Sequence, residues 1–291
     1  MRRLIAFAVL ALAAFGAQAQ FDLGRILDTA KKLGTAAESA KTATKEFTQD
    51  EEIQLGEGVS AGLLGAMPLQ ADERLQRYVN HVGRWIASQS ERSDLPWSFG
   101  VIDTESINAF AMPGGTVMIS HGLVKRLKSE SELAGVLAHE IAHVVRKHQL
   151  KAIQSNAGSD FLAAVGKEVA ADRIGRRGGD AFGLKNQLAQ SGIDLVKNGV
   201  FLRPLDRSLE YEADRVGVVL AARAGYDPYG LVAVLQMLQS MKPDDGFSVF
   251  TTHPVPADRI AELEKIVPTV LEKYAGQSQV EGRFRQSVGG K

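Results

Sequence analysis

Two histidines separated by one helical turn, with a glutamate after the first, form the most chemically specific pattern in this sequence. His139 and His143 are four residues apart, and Glu140 follows His139 directly. On a helix the two imidazoles lie only about 40° apart around the axis and project side by side. Such a pair can bind one zinc ion through nitrogen at roughly 2.0–2.1 Å. Glu140 lies about 100° farther round, where its carboxylate can reach a water molecule instead of the metal.

The chemistry that this pattern predicts is metal-assisted hydrolysis. Zinc lowers the pKa of water toward about 7 and polarises a carbonyl group. Glu140 would take a proton from the attacking water and pass it to the leaving amine. The alternative is a chance match on a structural helix, which this composition would produce only about 0.01 times per chain. A buried His–His–Glu group without a metal would also be costly, so we predict one Zn²⁺ per chain.

A third ligand must come from elsewhere, because a catalytic zinc site uses three protein ligands and leaves one position open. His148 is five residues beyond His143 and would lie about 140° round a continuous helix. Glu210 and Asp214, four residues apart, share one helix face. Glu210 can complete the ligand set, and Asp214 can accept the free N–H of a ligating histidine. Glu212 points away from this pair and is expected in solvent; the competing interpretation is an ordinary charged surface helix.

The elements that must position these residues are mainly helices, with a small sheet. The helix that carries the two histidines has an apolar stripe on its opposite face, so we expect it to be central and covered on both sides. Helical patterns cover 51–64, 72–90, 123–128, 130–153, 160–173, 184–199, 206–224, 228–241 and 255–273. Strands are expected over 97–104 and over 108–120, the latter as two pieces around the turn Pro113-Gly114-Gly115. This combination predicts the α+β class.

The composition excludes several other chemistries. The 291-residue chain has no cysteine, which removes disulfides, thiolate nucleophiles and Cys-based metal sites. Its 34 basic and 34 acidic residues balance, and removing Arg2 and Arg3 with a leader would leave 32 basic residues against 34 acidic ones. This balance gives no reason to expect nucleic acid as a partner.

The chain is expected to begin with a cleaved secretory signal peptide, which would direct it to the periplasm. Two arginines precede an apolar stretch from Leu4 to Gly16, and Ala17-Gln18-Ala19 provides a cleavage site. That stretch is shorter than the ~20 residues that a membrane-spanning helix needs, and no later stretch approaches this length. We therefore expect no transmembrane span in the mature chain. The predicted divisions are a signal peptide over 1–19, a helical arm or linker over 20–50, the main domain over 51–275 and a disordered tail over 276–291.

Four motifs in order resemble the gluzincin metallopeptidases of the HtpX and BepA kind, over about residues 50–270. This family includes membrane proteases that process prenylated proteins and soluble periplasmic quality-control proteases. The motifs are NAFAMPGG (108–115), HEIAH (139–143), EYEAD (210–214) and THPVPADRI (252–260). The resemblance implies a mainly helical zincin-like domain. It also implies zinc ligation by His139, His143 and Glu210, with Glu140 as general base and Asp214 supporting a ligand.

The resemblance also implies roles for two further segments. The stretch around Gly115–Ile119 would be an edge strand lining the cleft, where it pairs with the backbone of a substrate with little sequence preference. The substrate-binding residues would then be Gly115, Thr116, Val117 and Met118, and the alternative is an ordinary hairpin. His253 would lie near the metal, where it stabilises the oxyanion or fills the fourth zinc position; the alternative is a loop histidine bonded to backbone. His81 and His121 are expected to be structural or at the surface, and His148 is expected at the surface at the end of its helix.

The function predicted from the sequence is an exported zinc-dependent endopeptidase acting on unfolded or misassembled envelope proteins. The outer-membrane assembly machinery is a candidate partner. One alternative is a chaperone or assembly factor for outer-membrane proteins, with a capped or structural zinc site. Another is a zinc hydrolase that is not a peptidase. The loop over 175–183 and the segment around His253 are candidates for gating the cleft.

Overall fold

The computed structural model describes residues 47–156, 205–241, 253, 256–275, 277 and 280–289. Helices dominate these ranges, and three short strands form one sheet, which confirms the α+β prediction. The elements are α1 (Gln49–Ala66), α2 (Glu73–Ala87), β1 (Ser98–Ile102), β2 (Ala109–Met112), β3 (Thr116–Ser120), α3 (His121–Val124), α4 (Glu130–Val145), α5 (His148–Asn156), α6 (Arg207–Arg223), α7 (Tyr229–Ser240), α8 (Pro256–Glu264) and α9 (Glu281–Val288). A π-helix (Val267–Leu271) and a 3₁₀-helix (Glu272–Tyr274) follow α8.

The sheet has the strand order β1-β3-β2, so β3 lies in the middle. β3 pairs in parallel with β1, with Val117 opposite Phe99, and antiparallel with β2, with Val117 opposite Ala111. The prediction that 115–119 forms an edge strand is therefore wrong. The short turn Pro113–Gly115, with Gly114 at φ 80° and Gly115 at φ 107°, reverses the chain between β2 and β3. The sequence predicts two extended segments at this point, but it does not show which of them will pair with β1.

Helix α4 is the central helix, as its sequence predicts, and it is buried on every side. Two neighbouring helices approach it closely through glycines. A β-carbon at Gly217 of α6 would lie 3.0 Å from the backbone of His139, and one at Gly230 of α7 would lie 2.2 Å from the carbonyl oxygen of Ser131. These contacts fix α6 and α7 against α4 with little freedom to slide, because packed backbones cannot give way as flexible side chains can.

The helix predicted over 130–153 is divided in two. α4 ends at Val145 and α5 begins at His148. Between them Lys147 adopts a left-handed backbone conformation, with φ 57°. The sequence has no glycine, proline or asparagine at this point. Its helical periodicity continues across the break and therefore predicts one unbroken helix.

The two ends of the chain differ in how far the structure describes them. α1 begins after Thr48, whose hydroxyl accepts a hydrogen bond from the Glu51 amide while the Glu51 carboxylate accepts one from the Thr48 amide. The predicted signal peptide and nearly all of the predicted arm lie outside the described residues, as do the helices expected over 160–173 and 184–199 and the loop over 175–183. Within the tail expected to be disordered, the structure contains α9. Phe284 anchors it, because this side chain is only 2% exposed and its ring lies 6.5 Å from that of Tyr78.

None of the helices in the described parts of the chain combines the length and apolar content needed to cross a bilayer.

Candidate metal centre

Helix α4 holds the first two candidate ligands against each other. The Nε2 atoms of His139 and His143 are 3.0 Å apart, and the ring centroids are 4.6 Å apart. Both side chains are buried, with exposures of 4% and 1%. The one-turn spacing read from the sequence therefore produces two imidazole nitrogens that face a common point.

Helix α6 brings a carboxylate to the same point. Oε2 of Glu210 is 3.6 Å from Nε2 of His139, and Oε1 is 3.5 Å from Nε2 of His143. A tetrahedral zinc site with bonds of roughly 2.0–2.1 Å would have donor–donor separations of about 3.3 Å. The three separations of 3.0, 3.5 and 3.6 Å among His139, His143 and Glu210 bracket this value, so the position of Glu210 is compatible with a third ligand.

A fourth donor joins this group from the segment before α8. Nδ1 of His253 lies 2.7 Å from Oε2 of Glu210, and its ring centroid is 5.4 Å from that of His139. One donor atom from each of His139, His143, Glu210 and His253 lies within 4.8 Å of the others, and all four residues are buried. We refer to these four residues as the donor cluster.

The donor cluster fits a single bound cation. Glu210 Oε1 is a buried carboxylate oxygen with no hydrogen-bond partner among the described residues. Burial alone would raise the pKa of Glu210, but the neighbouring His253 and His139 outweigh it and hold that pKa well below its usual value. Burial and the charge of His139 together hold the pKa of His143 well below its usual value. An anionic oxygen without a partner and an imidazole that resists protonation are donors that a metal ion would satisfy.

His139 is held in place by an acid on α6 and a base on α8. Oδ1 of Asp214 lies 2.9 Å from Nδ1 of His139, which leaves Nε2 directed at the donor cluster. Burial and Arg259 lower the pKa of His139, but the hydrogen bond to Asp214, the charge of Asp214 and the hydrogen bond to Glu210 together outweigh them and raise that pKa to about 9. Arg259 also donates to both oxygens of Asp214, at 2.8 and 2.6 Å. The sequence predicts Asp214 next to a ligand but indicates no role for Arg259, although a buried acidic pair needs a cation to balance it.

His148 and Glu212 form contacts beside the donor cluster that the sequence does not predict. His148 is completely buried, and its Nδ1 is 3.0 Å from Nδ1 of His143. Its Nε2 is 3.4 Å from Oε2 of Glu212. The expectation that His148 lies at the surface is therefore wrong, because the break at Lys147 turns α5 back toward the donor cluster. Glu212 keeps 38% of its side chain exposed, as expected, but it also contacts His148. His81 is at the surface as expected, and His121 is half-buried.

Glu140 faces a recess beside the donor cluster. It is only 3% exposed, burial raises its pKa, and its Oε1 lies 3.9 Å from Nε2 of His253. Asn108 and Ala109, at the start of the edge strand β2, line the same recess. His139, His253 and Arg259 also line the recess. The rest of its wall is aliphatic and comes from Leu123, Val136, Leu231, Val234, Leu235 and Leu238. The recess thus combines a carboxylate, strand backbone and aliphatic side chains.

The residues predicted to bind substrate lie away from this recess. Val117 and Met118 belong to the middle strand, whose backbone already pairs with a strand on each side. Gly115 is buried beside Leu95 and Trp97, and Thr116 faces Ser98 across the sheet. A middle strand has no free edge to offer another chain, so the strand next to Glu140 that could pair with a substrate is β2.

Comparison of the chain with known proteins identifies a matching family and several relatives. Residues 72–267 match the family described as peptidase family M48. The chain is 31% identical over 243 residues to the beta-barrel assembly-enhancing protease of Escherichia coli O157:H7, which covers 81% of this chain and 46% of that protein. It is 32% identical over 219 residues to the protein of the same name from Yersinia pestis, covering 73% of this chain and 43% of the relative.

A eukaryotic relative shows similar identity. The mitochondrial metalloendopeptidase OMA1 of Schizosaccharomyces pombe is 31% identical over 201 residues, covering 67% of this chain and 54% of the relative. The chain spans about half the length of the curated relatives that it matches. All four residues of the donor cluster fall within the matched range 72–267.

Proposed function

This chain belongs to peptidase family M48, and from that premise we propose that it is a zinc-dependent endopeptidase that cleaves unfolded or misassembled envelope proteins. The observation that carries this proposal is the convergence of His139, His143 and Glu210 on one point beside Glu140. The relatives named as proteases and metalloendopeptidases support it. One buried carboxylate oxygen of Glu210 has no hydrogen-bond partner in the described part of the chain, which supports a cation at that point.

The ligands and the general base have separate roles in the proposed mechanism. His139, His143 and Glu210 would hold the zinc ion, which supplies Lewis-acid polarisation of the scissile carbonyl and acidification of water when bound. Glu140 takes a proton from the attacking water and returns it to the amine that leaves. Asp214 accepts the Nδ1 hydrogen of His139 and so keeps Nε2 free for ligation.

The position of His253 in the donor cluster supports a role for it as a fourth donor. Its contact with Glu210 places it inside the donor cluster, and its other ring nitrogen is turned toward Glu140. We propose that this arrangement is the resting form, in which His253 caps the metal. For cleavage, the His253 side chain would then have to move away from Glu210 to make room for water beside Glu140.

Substrate binding is proposed to use β2 and the apolar wall of the recess. β2 is an edge strand of the described sheet, and its first residue, Ala109, lines the recess that contains Glu140. A peptide added along such an edge gains affinity from main-chain hydrogen bonds, with little demand on its sequence. Side chains such as Leu231 and Leu235 would then receive an aliphatic side chain next to the bond that is cut. Unfolded chains meet both requirements, because they expose extended backbone and apolar residues together.

The location and partners of the protein are also part of the proposal. The leader-like segment over 1–19 supports export to the periplasm. The names of the bacterial relatives connect those proteins with β-barrel assembly, so we propose misassembled outer-membrane proteins as substrates and their assembly machinery as a partner.

The experiment that tests the proposal is cleavage of an unfolded protein by the purified chain. Casein is incubated with the zinc-loaded protein, with and without a chelator, and the cut sites are identified by mass spectrometry. We expect internal cuts that the chelator abolishes, and no cuts by a Glu140→Gln variant that still binds zinc. The conservative control is Glu57→Gln, because Glu57 is exposed on α1. Absence of cuts by the zinc-loaded wild type would contradict the proposal.

One alternative has an observation in its favour. The relatives' name refers to assembly as well as proteolysis, which favours an assembly factor whose zinc is capped. The two functions separate in cells that carry only Glu140→Gln. If Glu140→Gln restores outer-membrane assembly, the protein acts in assembly by binding and does not need proteolysis. If it does not restore assembly, proteolysis is required. Turnover of small amides or esters without protein cleavage would instead favour a zinc hydrolase that is not a peptidase.

A further inference from the structure

A histidine outside the donor cluster touches one of its members directly. The Nδ1 atoms of His148 and His143 are 3.0 Å apart, with ring centroids 5.0 Å apart and planes at 76°. The His148 side chain is completely shielded from solvent. Its second nitrogen, Nε2, lies 3.4 Å from Oε2 of Glu212. The contacts form a continuous line from Glu212 through His148 to His143.

A single backbone position places His148 in this line. In an unbroken helix His148 would lie about 140° round from His143, too far for ring contact. The left-handed conformation of Lys147 ends α4 and starts α5 in a new direction. A residue other than glycine adopts this conformation only with steric strain. This strained residue directly precedes His148, and the conformation that it adopts brings His148 into contact with the candidate metal ligand His143.

The positions of the protons in this line follow from the groups themselves. An ionised carboxylate only accepts hydrogen bonds, whereas a neutral imidazole has one donor nitrogen and one acceptor nitrogen. Nε2 of His148 faces the Glu212 carboxylate and therefore carries the hydrogen, so Nδ1 of His148 is the acceptor. His143 then donates from Nδ1, and its Nε2 presents a lone pair toward Glu210 and His139.

We propose that Glu212 and His148 are positioning residues that fix His143 in the tautomer and orientation that bind the metal. Asp214 does the same for His139 by direct contact, so each ligating histidine is oriented through Nδ1, one by a carboxylate and the other by a carboxylate acting through an imidazole. This inference rests on the proposed zinc site but not on proteolysis. The opposite proton order would place a lone pair of His148 against the carboxylate and a hydrogen on the ligating nitrogen of His143.

The first test measures zinc affinity in variants of His148. In His148→Leu the Nδ1 hydrogen of His143 loses its acceptor, and we expect zinc affinity to fall by about 10- to 100-fold, the usual effect of losing such a partner. In His148→Gln the amide oxygen can accept from His143 while the amide nitrogen donates to Glu212, so affinity should return to within a few fold of wild type. Affinity is measured on the full chain in a Glu140→Gln background, by competition with a chromogenic chelator.

A matched control distinguishes the effect of the Glu212–His148–His143 contacts from the effect of a nearby surface ion pair. Oε1 of Glu212 also lies 3.2 Å from Nε of Arg146. Glu212→Ala should lower zinc affinity, whereas Arg146→Gln, which breaks only the ion pair, should leave it unchanged. Equal loss in both variants, or unchanged affinity in His148→Leu, would overturn the proposal.

The second test needs no substitution. Long-range ¹H–¹⁵N spectra of the zinc-loaded wild-type protein, with labelled histidine, report which nitrogen of each ring carries hydrogen. We expect hydrogen on Nε2 of His148 and on Nδ1 of His143; hydrogen on Nδ1 of His148 would refute the assignment. A protein that shows the expected tautomers and binds zinc but cuts no polypeptide would overturn the proposed function and leave this inference intact.

Discussion

Gly217 of α6 lies directly against His139 of α4, where an added β-carbon would sit 3.0 Å from both the amide nitrogen and the Cα of His139. The same helix carries Glu210 and Asp214, two turns and one turn before this contact. The distance between the two helix backbones at Gly217 therefore sets how close the carboxylates come to the imidazoles. The geometry of the donor cluster, which joins residues from α4 and α6, therefore depends on the absence of a side chain at Gly217.

Gly217→Ala is expected to weaken zinc binding. The methyl group would push α6 away by a few tenths of an ångström, because the atoms it meets belong to helix backbone, and overpacking of this kind costs about 1–3 kcal/mol. We expect a several-fold loss of zinc affinity together with a lower free energy of unfolding. The control is Gly65→Ala in α1, where no atom lies within 4 Å of the added carbon and stability should rise by roughly 0.5–1 kcal/mol. Unchanged zinc affinity in Gly217→Ala would contradict the prediction.

Arg259→Gln is expected to destabilise the zinc-free protein by about 3–5 kcal/mol, because it removes the guanidinium that donates two hydrogen bonds to the buried carboxylate of Asp214. Arg259 and Asp214 join α8 to α6 at exposures of 3% and 1%. The same two helices share an exposed pair, Arg207 and Asp258, whose atoms are 3.3 Å apart. Arg207→Gln should cost less than about 1 kcal/mol. Urea unfolding of both variants measures the difference, and equal small losses would show that burial does not matter here.

His253→Ala is expected to separate zinc binding from cleavage. Losing one of four donors should lower zinc affinity, while freeing the fourth position should speed casein cleavage several-fold at saturating zinc. The measurements are a zinc competition titration and initial rates on one protein preparation. Slower cleavage at saturating zinc would show that His253 assists the reaction instead of capping the metal. If neither quantity changed, His253 would have no part in the site.

Glu130 is expected to make stability depend on pH in acid. This carboxylate is fully buried and accepts hydrogen bonds from Tyr78, Tyr226 and Arg283. Burial would raise the pKa of Glu130, but the bonds from Arg283 and the two tyrosines outweigh it and lower that pKa below 4.5. A group whose pKa is depressed by folding contributes fully above its unfolded value and loses that contribution as pH falls through the folded value.

The measurement compares wild type with Glu130→Gln by urea unfolding, in the presence of a chelator so that zinc does not contribute. At pH 7 we expect wild type to be more stable by roughly 1–3 kcal/mol, and the gap should close as pH falls below 4.5, the ordinary value. Glu57→Gln, on the exposed side of α1, serves as the reference. A gap that stays constant down to the acid transition would refute this role of Glu130.

Two substitutions of Lys147 are expected to have opposite effects. Glycine adopts the left-handed conformation without strain, so Lys147→Gly should keep zinc affinity and raise stability modestly. A β-branched residue is strained there, so Lys147→Val should destabilise the α4–α5 junction, displace His148 and lower zinc affinity. Both variants lose the lysine charge, so their difference reports backbone conformation alone. Equal zinc affinities would show that the junction does not position His148.

The sequence alone was enough to predict the helix that bears the site and its chemistry. His139, Glu140 and His143 sit within one helical turn, so their relative positions follow from helix geometry and hardly depend on the rest of the fold. Glu210 and Asp214 could be paired on one face for the same reason. The α+β class also followed, because helical and strand periodicities are local properties of the chain.

Tertiary structure decided everything that joins segments distant in sequence. β1 could pair with either β2 or β3, and the strand that it leaves unpaired becomes the edge. The residues of β2 and β3 by themselves do not show which of the two β1 will pair with. The break at Lys147 has no local signal, and its effect appears only when α5 folds back to bring His148 to His143. Arg259 reaches Asp214 across 45 residues, and Gly217 meets His139 only because α6 packs on α4. Local spacing fixes which groups can share a face, whereas packing between helices fixes which faces meet.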